Sequence, residues 1–290
     1  MVEQIKLAVR KTLAYADIFS YPLTQDEIWR FLIWEEPEKL PSKNEFNEIF
    51  STLKIKSEEN YYYLSTAATI KERTKKELNS LPKIDHAKKV VQLLKKIPFI
   101  KLVGLSGTLA MNNSEINDDI DLFIVCQSNT VWLSRFLAII ILDLKGFRRK
   151  AGDRIFKDKI CLNLFMDENF LEIPKNKQNL YTAHEIVQLR PIFSKGNIFQ
   201  QFLLNNIWFK QYLPNAHNLS LTEGIKSKKQ PWLLEIALSF INSILLVAQL
   251  FYMHPRLTKE VVSSHFAFFH PNDATSFVLE KYHNNISHLP

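Results

Sequence analysis

Residues 105–111 read LSGTLAM, and residues 119–125 read DIDLFIV. Each segment adjoins a run of apolar residues, which predicts a strand, a tight turn into a short helix, a loop and a second strand. Side chains two residues apart on a strand lie on the same face. We therefore expect Asp119 and Asp121 to lie close together, while Ile120 between them enters the core.

Two neighbouring carboxylates after a glycine-containing turn suggest a metal and phosphate site. Like charges at this distance repel each other unless a cation or a proton lies between them. Mg²⁺ accepts one or two carboxylates together with phosphate oxygens, so it suits such a pair. The Gly107-Thr108 turn before a helix offers free backbone N–H groups to a phosphate.

In these residues the chain resembles the nucleotidyltransferase superfamily of the polymerase-beta-like fold. The family signature is Gly-Ser or Gly-Thr, a short spacer, and then Asp-x-Asp before an apolar strand. The resemblance implies that the triphosphate of an NTP binds at Ser106, Gly107 and Thr108. It also implies that the catalytic residues, which hold Mg²⁺ or Mn²⁺, are Asp119 and Asp121.

The same family places a third carboxylate on a later strand, where it helps to activate the acceptor hydroxyl. Residues 159–166 are the predicted third strand, and its inward polar position is Asn163. An amide cannot take a proton as a base. Asp158 and Asp167 bracket the strand and are fallback candidates. Either two carboxylates suffice, or a neighbouring residue supplies the base, or catalysis has been lost.

The resemblance implies a Mg²⁺-dependent nucleotidyltransferase that transfers a nucleoside monophosphate from an NTP to an acceptor. The sequence does not identify the acceptor, which is a small molecule, an RNA or a protein. The alternative is a catalytically decayed member of the superfamily that serves as a nucleotide-binding or regulatory interaction module.

Composition describes a basic globular protein with reduced cysteines. Hydrophobic residues make up 46% and charged residues 23% of the 290 residues, which is ordinary for a globular chain. Residues 131–230 carry 16 basic and 8 acidic side chains, a balance of +8 that suits a triphosphate or a nucleic acid. Cys126 and Cys161 are interpreted as buried thiols, not as a disulfide or a metal site. The N-terminus lacks the apolar stretch of a signal peptide, so a cytoplasmic location is expected.

Residues 1–80 are predicted to form a winged-helix-like module. Apolar spacing predicts a helix over residues 2–19, and capping boxes that begin at Thr24 and Ser42 predict two more. A polar turn at residues 57–60 predicts a hairpin. The module carries 12 basic and 13 acidic side chains, so we expect it to pack or to bind a partner rather than DNA.

Residues 81–213 are predicted to form the nucleotidyltransferase-like domain, with a mixed sheet and flanking helices in an α+β fold. A helix over residues 85–97 precedes the first strand, and a helix over residues 180–190 follows the third. His184 and Glu185 on the later helix could line the cleft. A capped surface helix with a satisfied histidine is the favoured interpretation.

Residues 214–290 are predicted to form a C-terminal helical region. The apolar stretch at residues 232–253 approaches the length of a membrane span, but polar residues such as Gln249 interrupt it. We expect a buried helix, and we keep membrane association as a second interpretation that is not favoured. For His270 and Asp273, a turn beside an aromatic cluster is favoured over a site.

Overall fold

The structure is a computed structural model in which helices flank two sheets. It describes residues 1–36, 39–65, 69–150, 152–217, 231–253, 261–268 and 274–287. Within these segments one sheet has three strands and the other has six. The larger sheet contains both parallel and antiparallel pairs. The expected α+β class with a mixed sheet is therefore confirmed.

The N-terminal part forms the small sheet and the helices around it. Its elements are α1 (Val2–Asp17), β1 (Leu23–Thr24), α2 (Gln25–Arg30), α3 (Lys43–Ser51), β2 (Lys56–Glu58) and β3 (Tyr61–Tyr63). Both predicted capping boxes are present: Thr24 caps α2 with Glu27, and Ser42 caps α3 with Glu45. The predicted hairpin is β2–β3, and β1 adds a third antiparallel strand beside β3.

One continuous helix, α4 (Ile70–Leu94), joins the N-terminal part to the large sheet. The helix predicted over residues 85–97 is the second half of α4, and the expected domain boundary at residues 80–81 falls inside it. Arg73 on this helix holds the N-terminal part, because its Nη1 and Nη2 atoms each donate to a carboxylate oxygen of Glu27 at 2.8 Å. The two parts are thus connected by a helix and a bidentate ion pair.

The large sheet holds the three strands that the sequence predicts. Its strands are β4 (Ile100–Leu105), β5 (Ile120–Cys126), β6 (Ile160–Asp167), β7 (Arg190–Ser194), β8 (Val261–Val262) and β9 (Phe266–Phe268). Their spatial order is β7-β4-β5-β6-β9-β8. The helices that follow α4 are α5 (Gly107–Ala110), α6 (Val131–Leu144), α7 (Leu180–Gln188) and α8 (Ile198–Asn205). β5 and β6 are parallel, as the α6 crossover between them requires.

Alternate residues of β5 enter two cores on opposite faces of the sheet. Ile120 and Leu122 pack in the core that contains α4 and α6. Phe123 and Val125 pack in the core that contains α7 and α8. By strand alternation Asp121 belongs to the second face, so its carboxylate lies on the side of the sheet that α7 covers.

The C-terminal region is not purely helical, contrary to the prediction. β8 and β9 extend the large sheet beyond β6, with Phe266 paired to Met166. Strands of two and three residues are too short for an alternating pattern to reveal them. The last helix is α10 (Ala274–Ser287), which contributes to the core beside α7. His270 and Asp273 lie outside the described residues.

The apolar helix at residues 232–253 forms as predicted but is not buried. This helix, α9 (Trp232–Met253), is the one described helix that is long and apolar enough to cross a membrane. Only 17% of its most apolar 18-residue stretch is buried against the rest of the protein. The side chains that face the protein include polar ones. Asn242 Oδ1 accepts the backbone N–H of Trp132 at 2.8 Å, and Gln249 Nε2 donates to the Trp132 carbonyl at 2.9 Å. Apolar side chains such as Phe240 lie outward, so the expectation of a buried helix is wrong.

Candidate active site

The glycine bend and the aspartate strand are in direct contact. Gly107 has a φ of +63°, in the left-handed region that favours glycine. A Cβ atom at this position would lie 3.2 Å from Asp121 Oδ2. The backbone N–H of Ser106 donates to the carbonyl oxygen of Asp121 at 3.2 Å. α5 has a single turn and therefore no long helix dipole. The expectation of free N–H groups at the bend is wrong for Gly107, whose N–H donates to the Glu185 carboxylate, so a phosphate would have to displace that carboxylate.

Asp119 and Asp121 converge as the strand alternation predicts. One carboxylate oxygen of each aspartate and the Sγ atom of Cys161 all lie within 4.8 Å of one another. Ile120 between the aspartates is fully buried in the core. Three atoms that can bind a metal therefore surround one point at the start of β5.

Cys161 is a site residue that the sequence analysis assigned to the core. It pairs with Asp121 across the parallel strands and is half-buried, whereas Cys126 is fully buried as expected. Burial, with the negative charges of Asp121 and Asp119, raises the pKa of the Cys161 thiol, which therefore keeps its proton at neutral pH. The sequence does contain an indication of this role: Cys161 stands two residues before Asn163 on the predicted strand, so the two side chains lie on the same face of the sheet.

Asn163 occupies the predicted inward position on β6. Its Nδ2 atom donates to Asp121 Oδ1, and its Oδ1 atom accepts the Cys161 thiol at 2.7 Å. Asp121 accepts a hydrogen bond from the amide and Cys161 donates one to it, and these two bonds fix the orientation of the Asn163 side chain. At this point β6 presents an amide and a thiol.

Neither fallback carboxylate reaches the cluster. Asp158 forms an ion pair with the buried Lys83 at 2.7 Å. Asp167 lies at the far end of β6, where it is paired with Cys126 and accepts the backbone N–H of Asn169 at 2.9 Å. Both aspartates have structural roles, and their selection as alternatives to Asn163 is wrong.

Arg149 brings a positive charge to the cluster. Its Nη1 atom donates to Asp119 Oδ2 at 2.6 Å, and its Cζ atom lies 4.7 Å from the ring centroid of Phe156. The neighbouring Arg148 pairs with Asp143 instead. The sequence shows a basic run here, but no spacing rule tells which arginine of the run reaches a carboxylate thirty residues earlier.

Asp121 has a protonation midpoint close to neutral pH. Burial raises its pKa from 3.8 to about 7, repulsion by Asp119 and Glu185 adds to the increase, and Arg149 opposes it. A divalent cation would favour the ionised form. The two converging carboxylates fit Mg²⁺ or Mn²⁺, which prefer oxygen ligands, while the Cys161 thiol is a ligand for softer metals.

α7 lines the site, so its interpretation as a surface helix is wrong. Asn179 caps the helix as expected. His184 is 3% exposed, and among the described residues its Nε2 atom has no hydrogen-bond partner. Burial raises the pKa of Glu185 to about 7, although its hydrogen bond from the Gly107 N–H opposes the increase. Both side chains line a cavity of about 250 Å³ that also contacts Thr108.

No protein-family model matches the chain, and no curated protein sequence matches it. Any function therefore has to be inferred from the geometry of the bend, the carboxylates and the cavity.

Proposed function

We propose that this protein is a Mg²⁺- or Mn²⁺-dependent nucleotidyltransferase, and that its central domain has the nucleotidyltransferase-like fold. The close approach of the Gly107 backbone to the carboxylate of Asp121, which would lie 3.2 Å from a Cβ atom added at Gly107, is the observation that carries this proposal. It brings a backbone that can bind phosphate within reach of two converging carboxylates that can hold a metal ion. An NTP bound at both would have its phosphates beside the cation.

The aspartates and the residues of the bend would have different roles in the proposed reaction. Asp119 and Asp121 would hold the divalent ion, which supplies positive charge to the reacting phosphate oxygens. Ser106, Gly107 and Thr108 would hold the β- and γ-phosphates. The acceptor oxygen attacks the α-phosphorus in line, its bond to phosphorus forms, the bond to pyrophosphate breaks, and the acceptor proton passes to a base or to solvent. The acceptor is a small molecule, an RNA or a protein.

A second candidate function is nucleotide binding without transfer. Its support is that Asp119 and Asp121 already have partners in Arg149 and Asn163, and that Asn163 stands where the resemblance implies a carboxylate. Such a protein would sense a nucleotide through the central domain and contact a protein partner through the N-terminal, winged-helix-like module. In both cases free Cys126 and Cys161 favour a reducing, cytoplasmic setting.

Transfer of label from α-³²P-NTP, with Mg²⁺ or Mn²⁺ and a panel of small hydroxyl compounds, RNAs and proteins, tests the enzyme proposal. Asp119→Ala and Asp121→Ala should each abolish transfer. Transfer at the wild-type rate in the double variant would rule out this metal-dependent scheme. Calorimetric NTP binding without turnover over the whole panel would support the second candidate.

A further inference from the structure

The cavity between the N-terminal part and the Gly107 bend is lined mainly by aromatic rings. It has a volume of about 250 Å³, and α7 forms one of its walls. Its aromatic residues are Tyr15, Phe19, Tyr21, Phe31 and Tyr181. The face of an aromatic ring carries partial negative charge, so rings that surround a cavity attract a cation.

Glu185 places a carboxylate at the end of the cavity that adjoins the bend. Its side chain lines the cavity together with Gly107 and Thr108, and it accepts the backbone N–H of Gly107. Among the described residues, no basic side chain lies close enough to lower the pKa of Glu185, which burial raises to about 7. Burying a carboxylate without a counterion is unfavourable, so this group calls for a cationic ligand.

The second polar group that α7 presents to the cavity is also an acceptor. Gln188 lines the cavity three residues after Glu185, on the same face of the helix. Its Nε2 atom lies 3.3 Å from His184 Nδ1, so its Oε1 atom is left to accept a hydrogen bond. Asn113 Oδ1 and His184 Nε2 also lack partners among the described residues, but the protein encloses both atoms. They are therefore not presented to a ligand.

No positive charge lines the cavity within the described part of the chain. The lining includes no lysine and no arginine. Burial lowers the pKa of His184 to about 3, so this residue is neutral. Arg73 and Arg30 each lie over one of the rings, at 4.2 Å and 5.1 Å from its centroid, but neither lines the cavity. The charge that the walls offer is negative, which suits a cation and excludes an anion.

We propose that this cavity binds an organic ammonium ion. The inference rests on the proposed nucleotidyl transfer, because it names the acceptor as an amino alcohol. The ammonium group would bind Glu185 and the rings, and the hydroxyl group would face the bend. A metal ion is disfavoured, since it requires several oxygen ligands and would meet one carboxylate among apolar rings. A neutral ligand would leave that carboxylate without a counterion.

The ammonium ion would also compensate for the binding of phosphate. A phosphate that accepts the Gly107 N–H has to displace the Glu185 carboxylate, which accepts it in this structure. The displaced carboxylate then needs a new partner. An ammonium group in the cavity supplies one, so the acceptor and the NTP would favour each other's binding.

The inference also gives the N-terminal part a role. Four of the five rings belong to residues 15–31. This segment is attached to the loop after the bend, because Tyr21 Oη donates to the Met111 carbonyl at 3.0 Å and Asn113 Nδ2 donates to the Phe19 carbonyl at 3.2 Å. The N-terminal part would therefore supply most of the acceptor site, a role that needs no positive surface.

Calorimetry at pH 8 with choline and its neutral isostere 3,3-dimethylbutan-1-ol tests the inference. The two compounds share a shape and differ in charge, and choline should bind about tenfold more tightly. Glu185→Gln should remove this preference. Glu172→Gln removes a carboxylate that accepts from Gln178 outside the cavity, and it should keep the preference. Equal affinities in the wild-type protein, or a preference that survives Glu185→Gln, would overturn the inference.

A measurement on the wild-type protein covers the case in which Glu185→Gln fails to fold. Nuclear Overhauser effects should connect the methyl protons of bound choline to the ring protons of Phe19 and Tyr181, which line the cavity. Effects that connect choline only to other rings would place it elsewhere and contradict the inference.

Failure of the inference and failure of the proposed function give different results. Choline binding needs neither nucleotide nor divalent cation. If choline binds in the cavity but neither choline nor any other acceptor receives label from α-³²P-NTP, the proposed function fails and the ammonium site stands. If other acceptors receive label and choline does not bind, the ammonium site fails alone. Displacement of choline by a non-hydrolysable NTP would also overturn the inference, because the cavity would then hold part of the nucleotide.

Discussion

The two sides of the Gly107 bend differ in how their polar groups are satisfied. On the carboxylate side, Asp119 has the Arg149 guanidinium and Asp121 has the Asn163 amide as partners. On the cavity side, two buried polar atoms have no partner within the part of the chain that the structure describes.

The difference follows from the cost of burying each kind of group. A buried charge without a partner costs several kcal/mol, while a neutral polar atom costs about 1–3 kcal/mol. The carboxylates therefore carry substitutes for a cation in the resting protein, whereas the cavity tolerates open hydrogen bonds. A divalent ion that binds both carboxylates therefore has to displace Arg149 from Asp119.

The largest expected effect is the loss of transfer on removing a carboxylate from the carboxylate side. Asp121→Ala should lower Mg²⁺-dependent transfer on the order of a thousandfold, because the cation loses one of its two carboxylates. Asp143→Ala removes a carboxylate that pairs with Arg148 outside the cluster, and it should leave transfer of label from α-³²P-NTP within twofold. An equal loss of transfer in Asp143→Ala would show that the effect is not specific to the carboxylate side.

The second effect concerns stability and pH. Because the folded-state pKa of Asp121, about 7, lies above its ordinary 3.8, the protonated form stabilises the fold. This contribution is complete below about pH 4 and is lost as the pH rises through 7. Without divalent cation, Asp121→Asn should therefore raise the free energy of unfolding at pH 8 by about 2 kcal/mol, with little change at pH 4.

Asp143→Asn is the control of opposite sign, measured by the same urea titrations. The hydrogen bond from Arg148 lowers the pKa of Asp143, so its contribution is present above the ordinary value and is lost as the pH falls. Asp143→Asn should destabilise the protein at pH 8. If both variants changed the free energy of unfolding in the same direction at pH 8, the raised pKa assigned to Asp121 would be contradicted.

A third test changes the bend itself. Gly107→Ala should lower the free energy of unfolding by about 1–2 kcal/mol because of the left-handed backbone, and it should also weaken Mn²⁺ binding by pressing on Asp121. Gly146 has a similar φ of +67° but nothing within 4 Å of an added Cβ. Gly146→Ala should cost similar stability and leave Mn²⁺ binding intact, as measured by electron paramagnetic resonance.

The smallest effect is expected at Arg149. Arg149→Gln should tighten Mn²⁺ binding several-fold in the absence of nucleotide, because the cation no longer competes with a partly exposed guanidinium. Arg148→Gln removes the neighbouring charge, which pairs with Asp143, and should change Mn²⁺ affinity much less. Weaker Mn²⁺ binding in Arg149→Gln would show that the arginine is not a substitute for the cation.

Sequence reasoning reached the carboxylate side but not the cavity side. Asp119 and Asp121 follow from strand alternation, which is a local rule. The cavity depends on His184 and the ring of Tyr15 meeting at a centroid distance of 3.9 Å, a contact between helices 169 positions apart (184 − 15). No short-range pattern in the sequence predicts a contact between residues so far apart in the chain.

The error at α9 has a different cause. Length and composition predict the helix correctly, but burial was inferred because polar residues interrupt an apolar stretch that approaches the length of a membrane span. Asn242 and Gln249, which look like interruptions of an apolar run, are among the residues that attach the helix to the protein, because both form hydrogen bonds with Trp132 of α6. Polar residues on the inner face and apolar residues on the outer face depart from the usual arrangement of a surface helix.

The sheet limits how α9 can meet a bilayer. β6 precedes α9 in the chain and β9 follows it, and these two strands are neighbours in one sheet. If α9 crossed a membrane, β6 and β9 would lie on opposite sides of it and could not pair. Lipid tails or another protein can therefore reach the outer face of α9 only laterally, with the helix lying parallel to the surface it touches.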